Sequence, residues 1–467
     1  MEKNTVRVFF ICFTLSLACN FENGFSATYL NNPIDEFKRF LNESYSRRGE
    51  EFTEAKYDII WNIICNIWFV GFFFGIFLSP IINDRFGRKV GFILMNALIL
   101  LASISRLLSV LFYCPELLIA ARVVASISLA VAYQSLILFL QECAPTRLRG
   151  AMSFTSEICI ALMSLLGMFI GMDSIFGKNL KLLLGFAIGP SILALIVLFP
   201  MHETPKFLFI VKKQFKAASK SVKFYQGKKI NVDSVLHEIA LEAEQDSESN
   251  SSLKEIFTTP YLRKSVIVSC AALQVTVSLW SILLSSTRFL KDSGLEANTA
   301  GWASTAMAFT YFLGTSIGAF FVDRFGRRPM ILTFLALNTL SLLLFVIFSV
   351  LQPQVYWFKY GCLGCFLFYG LSYGGVGPIT WFIPTELVPQ RHRSLVQSLC
   401  YAINTLIVII WTFSVLPLFT AIKAYSFLGL YVIPNLICLV YLFFELPETK
   451  SREIHEIVSE LKGKTGK

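Results

Sequence analysis

The amino-acid sequence predicts an all-α membrane protein with twelve transmembrane helices arranged as two homologous six-helix halves. The first observation is composition: of 467 residues, 55% are hydrophobic and only 15% are charged, whereas soluble domains carry roughly 25% charged residues. The second is a series of apolar runs, each long enough to cross a bilayer as a helix of about 20 residues. The third is a set of motifs that recur in both halves of the chain.

The apolar runs form two groups of six, separated by a polar segment. We assign residues 1–200 to an N-terminal bundle, 201–262 to a linker with short amphipathic helices, 263–446 to a C-terminal bundle and 447–467 to a tail. The predicted spans of the first bundle are 6–30, 58–82, 90–113, 115–140, 152–176 and 180–200. Those of the second bundle are 264–290, 297–322, 329–351, 356–383, 395–420 and 423–444.

The first apolar run permits a second interpretation. Residues 1–19 combine a basic start, a short apolar core and small residues, as a cleaved secretory signal does. Its removal would leave eleven helices and break the pattern of six and six, so we favour a transmembrane helix at 6–30.

Lysine and arginine are concentrated in alternate loops, in the linker and in the tail. Short cytoplasmic loops are enriched in these residues. We therefore expect both termini and the linker to be cytoplasmic, and we expect the membrane to be the plasma membrane. The loop at 31–57 is then outside, where Asn42 begins the glycosylation sequon Asn42-Glu43-Ser44. A second sequon at Asn250 lies in the linker and is expected to carry no glycan.

The sequence has no pattern typical of an enzyme, a metal site or an ATP-driven pump. Cys362 and Cys365 form a C-x-x-C motif, but no second pair of Cys or His accompanies it, and no phosphate-binding loop of the G-x-x-x-x-G-K-[ST] kind is present. The net charge of +10 is distributed between apolar runs, which a membrane explains better than nucleic acid. We expect no cofactor, no metal, no nucleic-acid partner and no obligate protein partner.

Three motifs occur once in each half. The basic loop DRFGRK at 84–89 returns as DRFGRR at 323–328, which is 239 positions later. Matched motifs at nearly one offset indicate two homologous halves, and parallel repeats around a site near the bilayer midplane are an architecture of membrane transporters. The other two pairs are E-x-x-P-x-R-x-R at 142–149 and 386–393, and ETPK at 203–206 with PETK at 447–450.

These motifs resemble the signature loops of the sugar porter family within the major facilitator superfamily, and the resemblance covers nearly the whole chain. The stretches GFSATYLNNP at 24–33, GMDSIFG at 171–177 and GVGPITWFI at 375–383 are similar to animal facilitative hexose (glucose/fructose) transporters. The resemblance implies the major facilitator fold and alternating-access transport of a sugar-like solute, with a hexose as the first candidate.

The repeated loops bring acidic residues and arginines to helix ends that we expect on the cytoplasmic side. Ion pairs there can link neighbouring helices as a latch when that side is closed, and exposed pairs are worth only about 0–1 kcal/mol each, so they can open again. A topology with positive charges on the cytoplasmic side would by itself explain the arginines. It would not explain the acidic residues that recur at corresponding positions of the two halves. The candidate latch residues are Asp84, Arg85, Arg88, Arg122, Glu142 and Arg149 in the first half, and Asp323, Arg324, Arg327, Glu386 and Arg393 in the second.

The resemblance implies a substrate site to which Gln274, Trp381 and Asn404 contribute from three helices of the second half. Amides suit sugar hydroxyls, and a flat aromatic side chain suits the face of a sugar ring. Six other positions depart from the family pattern: Val275, Trp280, Thr405, Tyr311, Tyr373 and Glu157. Of these, we keep Tyr311, Tyr373 and Glu157 as candidate substrate-binding residues. For the aromatic residues among them, ordinary helix packing is at least an equal alternative.

Two carboxylates lie inside apolar runs, Glu22 and Glu157, and Arg122 is a possible partner. Ionisable residues within a membrane span are costly and are candidates for function. The sequence therefore predicts a facilitative carrier, with two alternatives: a proton-coupled carrier that uses Glu157, or a membrane sugar sensor that transports nothing.

Overall fold

The computed structural model describes residues 3–143, 149–227, 231–247, 253–389, 392–450, 452 and 454–463. All regular structure in these ranges is helical, and no β-strand occurs among them. The sequon at Asn250, which we expect to carry no glycan, and the side chains of Arg149 and Asp323 lie outside the described part of the chain.

The first half is a series of long helices, with one shorter helix between the first two spans. The helices are α1 Lys3–Thr28, α2 Ile34–Ser46, α3 Glu54–Phe86, α4 Arg88–Leu111, α5 Pro115–Cys143, α6 Arg149–Ile170, α7 Leu180–Phe186 and α8 Ile188–Leu198. Three short helices follow in the predicted linker: α9 Phe215–Gln226, α10 Val232–Ser247 and α11 Leu253–Thr258.

The second half repeats the long helices and ends in a short one. They are α12 Pro260–Asp292, α13 Ala297–Phe325, α14 Arg327–Leu351, α15 Phe358–Thr380, α16 Ile383–Glu386, α17 Arg393–Ile422, α18 Ile433–Glu445 and α19 Ile454–Gly463. A π-helical segment at Leu428–Val432 leads directly into α18.

Ten helical stretches among the described residues are long and apolar enough to cross a membrane. The described apolar part of α6, Phe154–Ile170, is shorter, and α1 is a helix of 26 residues. With these two, the described helices account for the twelve predicted spans.

Helix α2 is absent from the sequence prediction, which treated 31–57 as a loop. Its apolar side chains Phe37, Phe40 and Leu41 are buried, while Asn42 and Glu43 on the same helix are exposed. An amphipathic helix of 13 residues is too short and too polar to register as a span, so it escaped a search based on long apolar runs.

Two glycines explain why the long helices stop and restart at the basic loops. Gly87 separates α3 from α4 with φ of 98°, and Gly326 separates α13 from α14 with φ of 90°. These conformations are strained for residues that carry a Cβ. The duplicated D-R-F-G-R motif therefore encodes the same tight turn between consecutive spans in each half.

The chain forms two compact units. The first comprises Met1–Ser26, Asp35–Ile170 and Ser174–Glu248, and the second comprises Ala27–Ile34, Gly171–Asp173 and Ser249–Lys467. The first unit contains most of the predicted N-terminal bundle, the second contains the predicted C-terminal bundle, and the predicted linker is divided between them. In the second unit α13 and α15 pack closely, since a Cβ on Gly374 would lie 2.5 Å from the carbonyl oxygen of Tyr311.

Candidate functional site

Two of the predicted substrate-binding residues meet around Leu273, at the contact of α12 with α15 and α17. Leu273 is fully buried in an apolar cluster against which Trp381 and Tyr401 pack. Asn404 Nδ2 donates to the carbonyl oxygen of Leu273 at 3.1 Å. We call the set Gln274, Thr276, Trp381, Tyr401 and Asn404 the Leu273 wall.

Asn404 is hydrogen-bonded within this wall. Its Nδ2 also donates to Thr276 Oγ1 at 3.2 Å, and its Oδ1 lies 3.4 Å from the same hydroxyl. Thr276 Oγ1 in turn donates to the carbonyl oxygen of Leu273 at 2.7 Å. Both side chains are buried, so the Asn404 amide joins α17 to α12.

The Gln274 side chain differs from that of Asn404 in its hydrogen bonding. Its side chain is 7% exposed, and its Nε2 has no hydrogen-bond partner among the residues that the structure describes. A buried amide donor without a partner costs free energy. A bound solute that accepts from this N–H group would remove that cost.

Trp381 lies in the turn between α15 and α16, beside Tyr401. The two rings pack edge to face with centroids 4.9 Å apart, and both side chains are half-buried. Tyr401 Oη donates to the carbonyl oxygen of Trp381 at 2.7 Å and accepts from Gln397 Nε2 at 2.9 Å. Helix α15 continues through Pro378 to Thr380 and ends directly before Trp381.

Tyr311 and Tyr373 lie in a buried aromatic cluster between α13 and α15. Their ring centroids are 5.5 Å apart, and Tyr369 stacks on Tyr373 at 6.2 Å. Tyr369 Oη is 2.8 Å from Ser278 Oγ on α12. This arrangement is consistent with ordinary helix packing, the alternative left open by the sequence. Trp280, also on α12, is half-buried.

The two intramembrane carboxylates have partners other than the predicted Arg122. Glu157 Oε1 accepts from Tyr133 Oη at 2.8 Å. Arg122 and Tyr133 are both on α5, eleven positions apart, which is about 16 Å along a helix. Glu157 therefore lies at the depth of Tyr133.

Glu22 pairs with Arg106, which the sequence analysis did not single out. Arg106 Nη2 donates to Glu22 Oε1 at 2.8 Å and to Oε2 at 2.9 Å. The same guanidinium donates to Ser26 Oγ and Ser103 Oγ, both at 2.9 Å. The side chains of Arg106 and Glu22 are 1% and 3% exposed, so this is a fully buried ion pair between α1 and α4.

Arg88 and Glu142 are the centre of a polar network at the first basic loop. Arg88 Nη2 is 2.9 Å from Glu142 Oε1, and Glu142 also accepts from the Thr204 hydroxyl. Glu203 Oε2 accepts from the backbone N–H of Lys89 at 3.0 Å, at the start of α4. Burial raises the pKa of Glu203, although this bond and one from the Thr204 backbone act in the opposite direction. We call these residues the first loop network.

The second half contains the same arrangement. Arg327 Nε is 3.5 Å from Glu386 Oε1, and Glu386 accepts from the Thr449 hydroxyl. Glu448 accepts from the backbone N–H groups of Arg327 and Arg328 at 3.0 and 3.2 Å, at the start of α14. We call these residues the second loop network.

The carboxylates of Glu203 and Glu448 were missed as functional residues. Both lie in motifs whose duplication the sequence shows, but their role depends on where the chain returns after the last span of each half. A negative charge at a helix N-terminus is favourable, and the positive-φ glycine leaves room for it. A Cβ on Gly326 would lie 2.7 Å from Glu448 Oε2.

Three of the remaining predicted latch residues have exposed side chains. Asp84 is exposed and lies 3.7 Å from Arg88, and Arg85 and Arg324 are exposed. Arg393 is half-buried; burial lowers the pKa of its guanidinium while the nearby Glu386 raises it.

Arg122 does not belong to the first loop network. It is buried, and it donates to the carbonyl oxygens of Ser26 and Cys65 at 3.4 and 3.2 Å. Twenty positions along α5 separate it from Glu142, which is about 30 Å in a helix. The structure therefore places Arg122 apart from Arg88 and Glu142, with which it was grouped in the predicted latch.

The chain matches a known protein family over nearly its whole length. The family model described as "Sugar (and other) transporter" matches residues 8–461. The chain belongs to this sugar transporter family. The predicted family resemblance is thereby confirmed.

Curated relatives match along the full length. The chain is 28% identical to solute carrier family 2, facilitated glucose transporter member 3 of Canis lupus familiaris, covering 99% of this chain and 94% of the relative. It is also 28% identical to facilitated glucose transporter member 1 of Gallus gallus, covering 93% and 89%.

Solved structures confirm the predicted fold class. The structure of the MFS (major facilitator superfamily) proton:xylose symporter XylE bound to 6-bromo-6-deoxy-D-glucose has a TM-score of 0.77 at 16% identity, covering 98% of this chain and all of that one. An inward open conformation of XylE from E. coli has a TM-score of 0.78 at 15% identity. At this identity the likeness establishes the fold alone, which is the twelve-helix major facilitator fold.

Proposed function

We propose that the chain is a facilitative transporter that moves a sugar-like solute, with a hexose as the first candidate, through the membrane by alternating access. The observation that carries the proposal is the full-length similarity to facilitated glucose transporters. The family and fold are those of transporters rather than of enzymes. Neither the proton-coupled alternative nor the sensor alternative is favoured by these relatives.

The Leu273 wall is the proposed substrate contact of the second half. Gln274 would donate its Nε2–H to a solute oxygen, since this buried group has no partner among the described residues. Trp381 would supply a flat surface for the apolar face of the solute. Asn404 acts as a positioning residue, because its amide holds α17 to α12.

The two loop networks are the proposed cytoplasmic latch. In the first, the Arg88 and Glu142 side chains are 13% and 8% exposed, so their ion pair is better shielded from solvent than a surface pair. In the second, Arg327 and Glu386 are 23% and 28% exposed. Each network ties a loop to the segment that follows the last span of its half, and its release would accompany opening of that side.

The topology is also part of the proposal. Both termini and the linker would be cytoplasmic, the membrane would be the plasma membrane, and α2 would lie outside with a glycan on Asn42. This assignment is supported by the distribution of lysine and arginine and by the exposure of Asn42.

Uptake by vesicles reconstituted with the full chain tests the function. Radiolabelled hexoses, pentoses and polyols should include at least one solute whose uptake is saturable and is abolished by its unlabelled form. Glu386→Ala should reduce this uptake without lowering protein level, and normal uptake in that variant would remove the latch role. Vesicles that take up no solute above the protein-free background would contradict the transporter proposal.

A further inference from the structure

A surface cavity of about 320 Å³ lies between α2 and the start of α3. Asn42 on α2 and Phe52, shortly before α3, both line it. This volume is at the lower end of the range of about 300–1,000 Å³ found for small-molecule sites. All the lining residues belong to the first compact unit, so the shape of the cavity depends on this unit alone.

The polar part of the cavity wall offers both donors and acceptors of hydrogen bonds. Lys38 Nζ on α2 lies 2.7 Å from Glu54 Oε2 on α3, and the two side chains are 43% and 78% exposed. An ammonium group carries three N–H donors and a carboxylate accepts several bonds. Both groups therefore keep hydrogen-bonding capacity beyond their own ion pair, on the two elements that enclose the cavity.

The apolar part of the wall is Phe52, which neighbouring rings hold in place. Its ring stacks on Tyr45 with centroids 5.1 Å apart, and it meets Tyr57, which also lines the cavity, edge to face at 6.4 Å. Phe52 is half-buried, so part of its surface remains accessible. Apolar surface beside a few convergent polar groups is the composition of a small-molecule site, and it suits a sugar ring, which has apolar C–H faces and polar edges.

The position of Asn42 indicates which sugar this is. Asn42 lines the cavity, its side chain is exposed and it begins the sequon Asn42-Glu43-Ser44. A saccharide attached to its amide nitrogen starts at the cavity wall, where the covalent link gives it a high effective concentration. We propose that the cavity binds the first N-acetylglucosamine of a glycan on Asn42, and that this sugar fastens α2 to α3. The proposal rests on the external position of α2 in the proposed topology.

The bound sugar would add to the contacts that already hold α2 against α3. The protein's own contacts include Phe37 packed on Trp61, with ring centroids 5.7 Å apart, and the ion pair of Lys38 with Glu54. An exposed ion pair contributes little because solvent screens it. Hydroxyl and acetamido groups of the sugar would bond Lys38 and Glu54, and its apolar face would cover Phe52. Local opening of α2 should then be rarer when the sugar is present.

Hydrogen–deuterium exchange of the α2 amides in the purified full chain measures this opening. Three forms are compared: the chain with an intact high-mannose glycan, the same chain trimmed by endoglycosidase H to a single N-acetylglucosamine, and the wild-type chain made in a host that adds no N-glycans. We expect the first two to exchange alike and the third to exchange about threefold to tenfold faster. Helix α9, in the linker, is the internal control and should exchange equally in all three.

Phe52→Leu tests the cavity itself, because it removes the flat ring and keeps an apolar side chain. In this variant the difference between the trimmed and the sugar-free chain should fall below about twofold. A difference as large as in the wild type would overturn the proposal, as would a trimmed wild type that exchanges as fast as the sugar-free chain. Both results would leave the external position of α2 and sugar transport intact. A wild type that carries no glycan on Asn42 would instead remove the proposed topology and this inference together.

Discussion

The buried ion pair between Glu22 and Arg106 makes a strong prediction about stability. Arg106→Met removes a guanidinium that donates hydrogen bonds to Glu22, Ser26 and Ser103. The Glu22 carboxylate, 3% exposed, is then left buried without its charged partner. Loss of one member of a buried pair typically costs about 3–5 kcal/mol, so the free energy of unfolding should fall by about that amount.

A second substitution distinguishes the loss of a partner from the loss of packing. In the double variant Arg106→Met with Glu22→Leu, no charge is left buried, and replacement of a buried pair by apolar residues is often neutral or stabilising by about 1–4 kcal/mol. The double variant should therefore recover most of the stability that the single variant loses.

Unfolding of the purified chain in mixed micelles, followed by tryptophan fluorescence, measures these free energies. Arg48→Met is the matched control, since the pair Arg48–Glu116 has side chains 35% and 55% exposed, and solvent screening makes such a pair contribute far less to stability than a buried one. If Arg106→Met lost no more than Arg48→Met, or if the two substitutions at the buried pair were additive, the reasoning would be refuted.

Three further predictions concern the substrate contact, the basic loop and the topology. Gln274→Ala should weaken the apparent affinity for a transported sugar about threefold to tenfold at unchanged protein level, and wild-type affinity would exclude Gln274 from the site. Gly326→Ala should lower the free energy of unfolding by about 1–3 kcal/mol because of its positive φ. Gly429→Ala should not, since a Cβ at Gly429 would have no atom within 4 Å, and equal effects of the two substitutions would contradict the role of the turn. Glycosidase should shift the electrophoretic mobility of the wild type but not of Asn42→Gln, and a wild type that does not shift would count against an external α2.

The twelve spans and the two halves could be predicted because their signals are local. Each span is a continuous apolar run, and each loop motif recurs as a recognisable string of letters. Helix α2 could not be found in this way, since its apolar face becomes visible only when Phe37, Phe40 and Leu41 are known to be buried. Its alternation with exposed residues such as Asn42 is a helical pattern that a closer search for periodicity would have detected.

Charge pairing was predicted less well, because partners are set by depth and by helix phase rather than by distance along the sequence. Arg122 was a possible partner of Glu157 and Glu22, but in the structure Tyr133 donates a hydrogen bond to Glu157. The arginine that does hold a buried carboxylate, Arg106, lies in an apolar run. A signal was available there: a lone arginine in a membrane span requires a partner, and Glu22 was one of two carboxylates in the apolar runs of the first half.

The substrate contact shows a further limit of inference by motif. Gln274 and Asn404 were equal candidates in the sequence, each with a carbonyl acceptor and an amide donor. The structure distinguishes them, because Asn404 bonds Leu273 and Thr276 while Gln274 Nε2 has no partner among the described residues. A residue that matches a family position can therefore serve the protein's own packing instead of the solute.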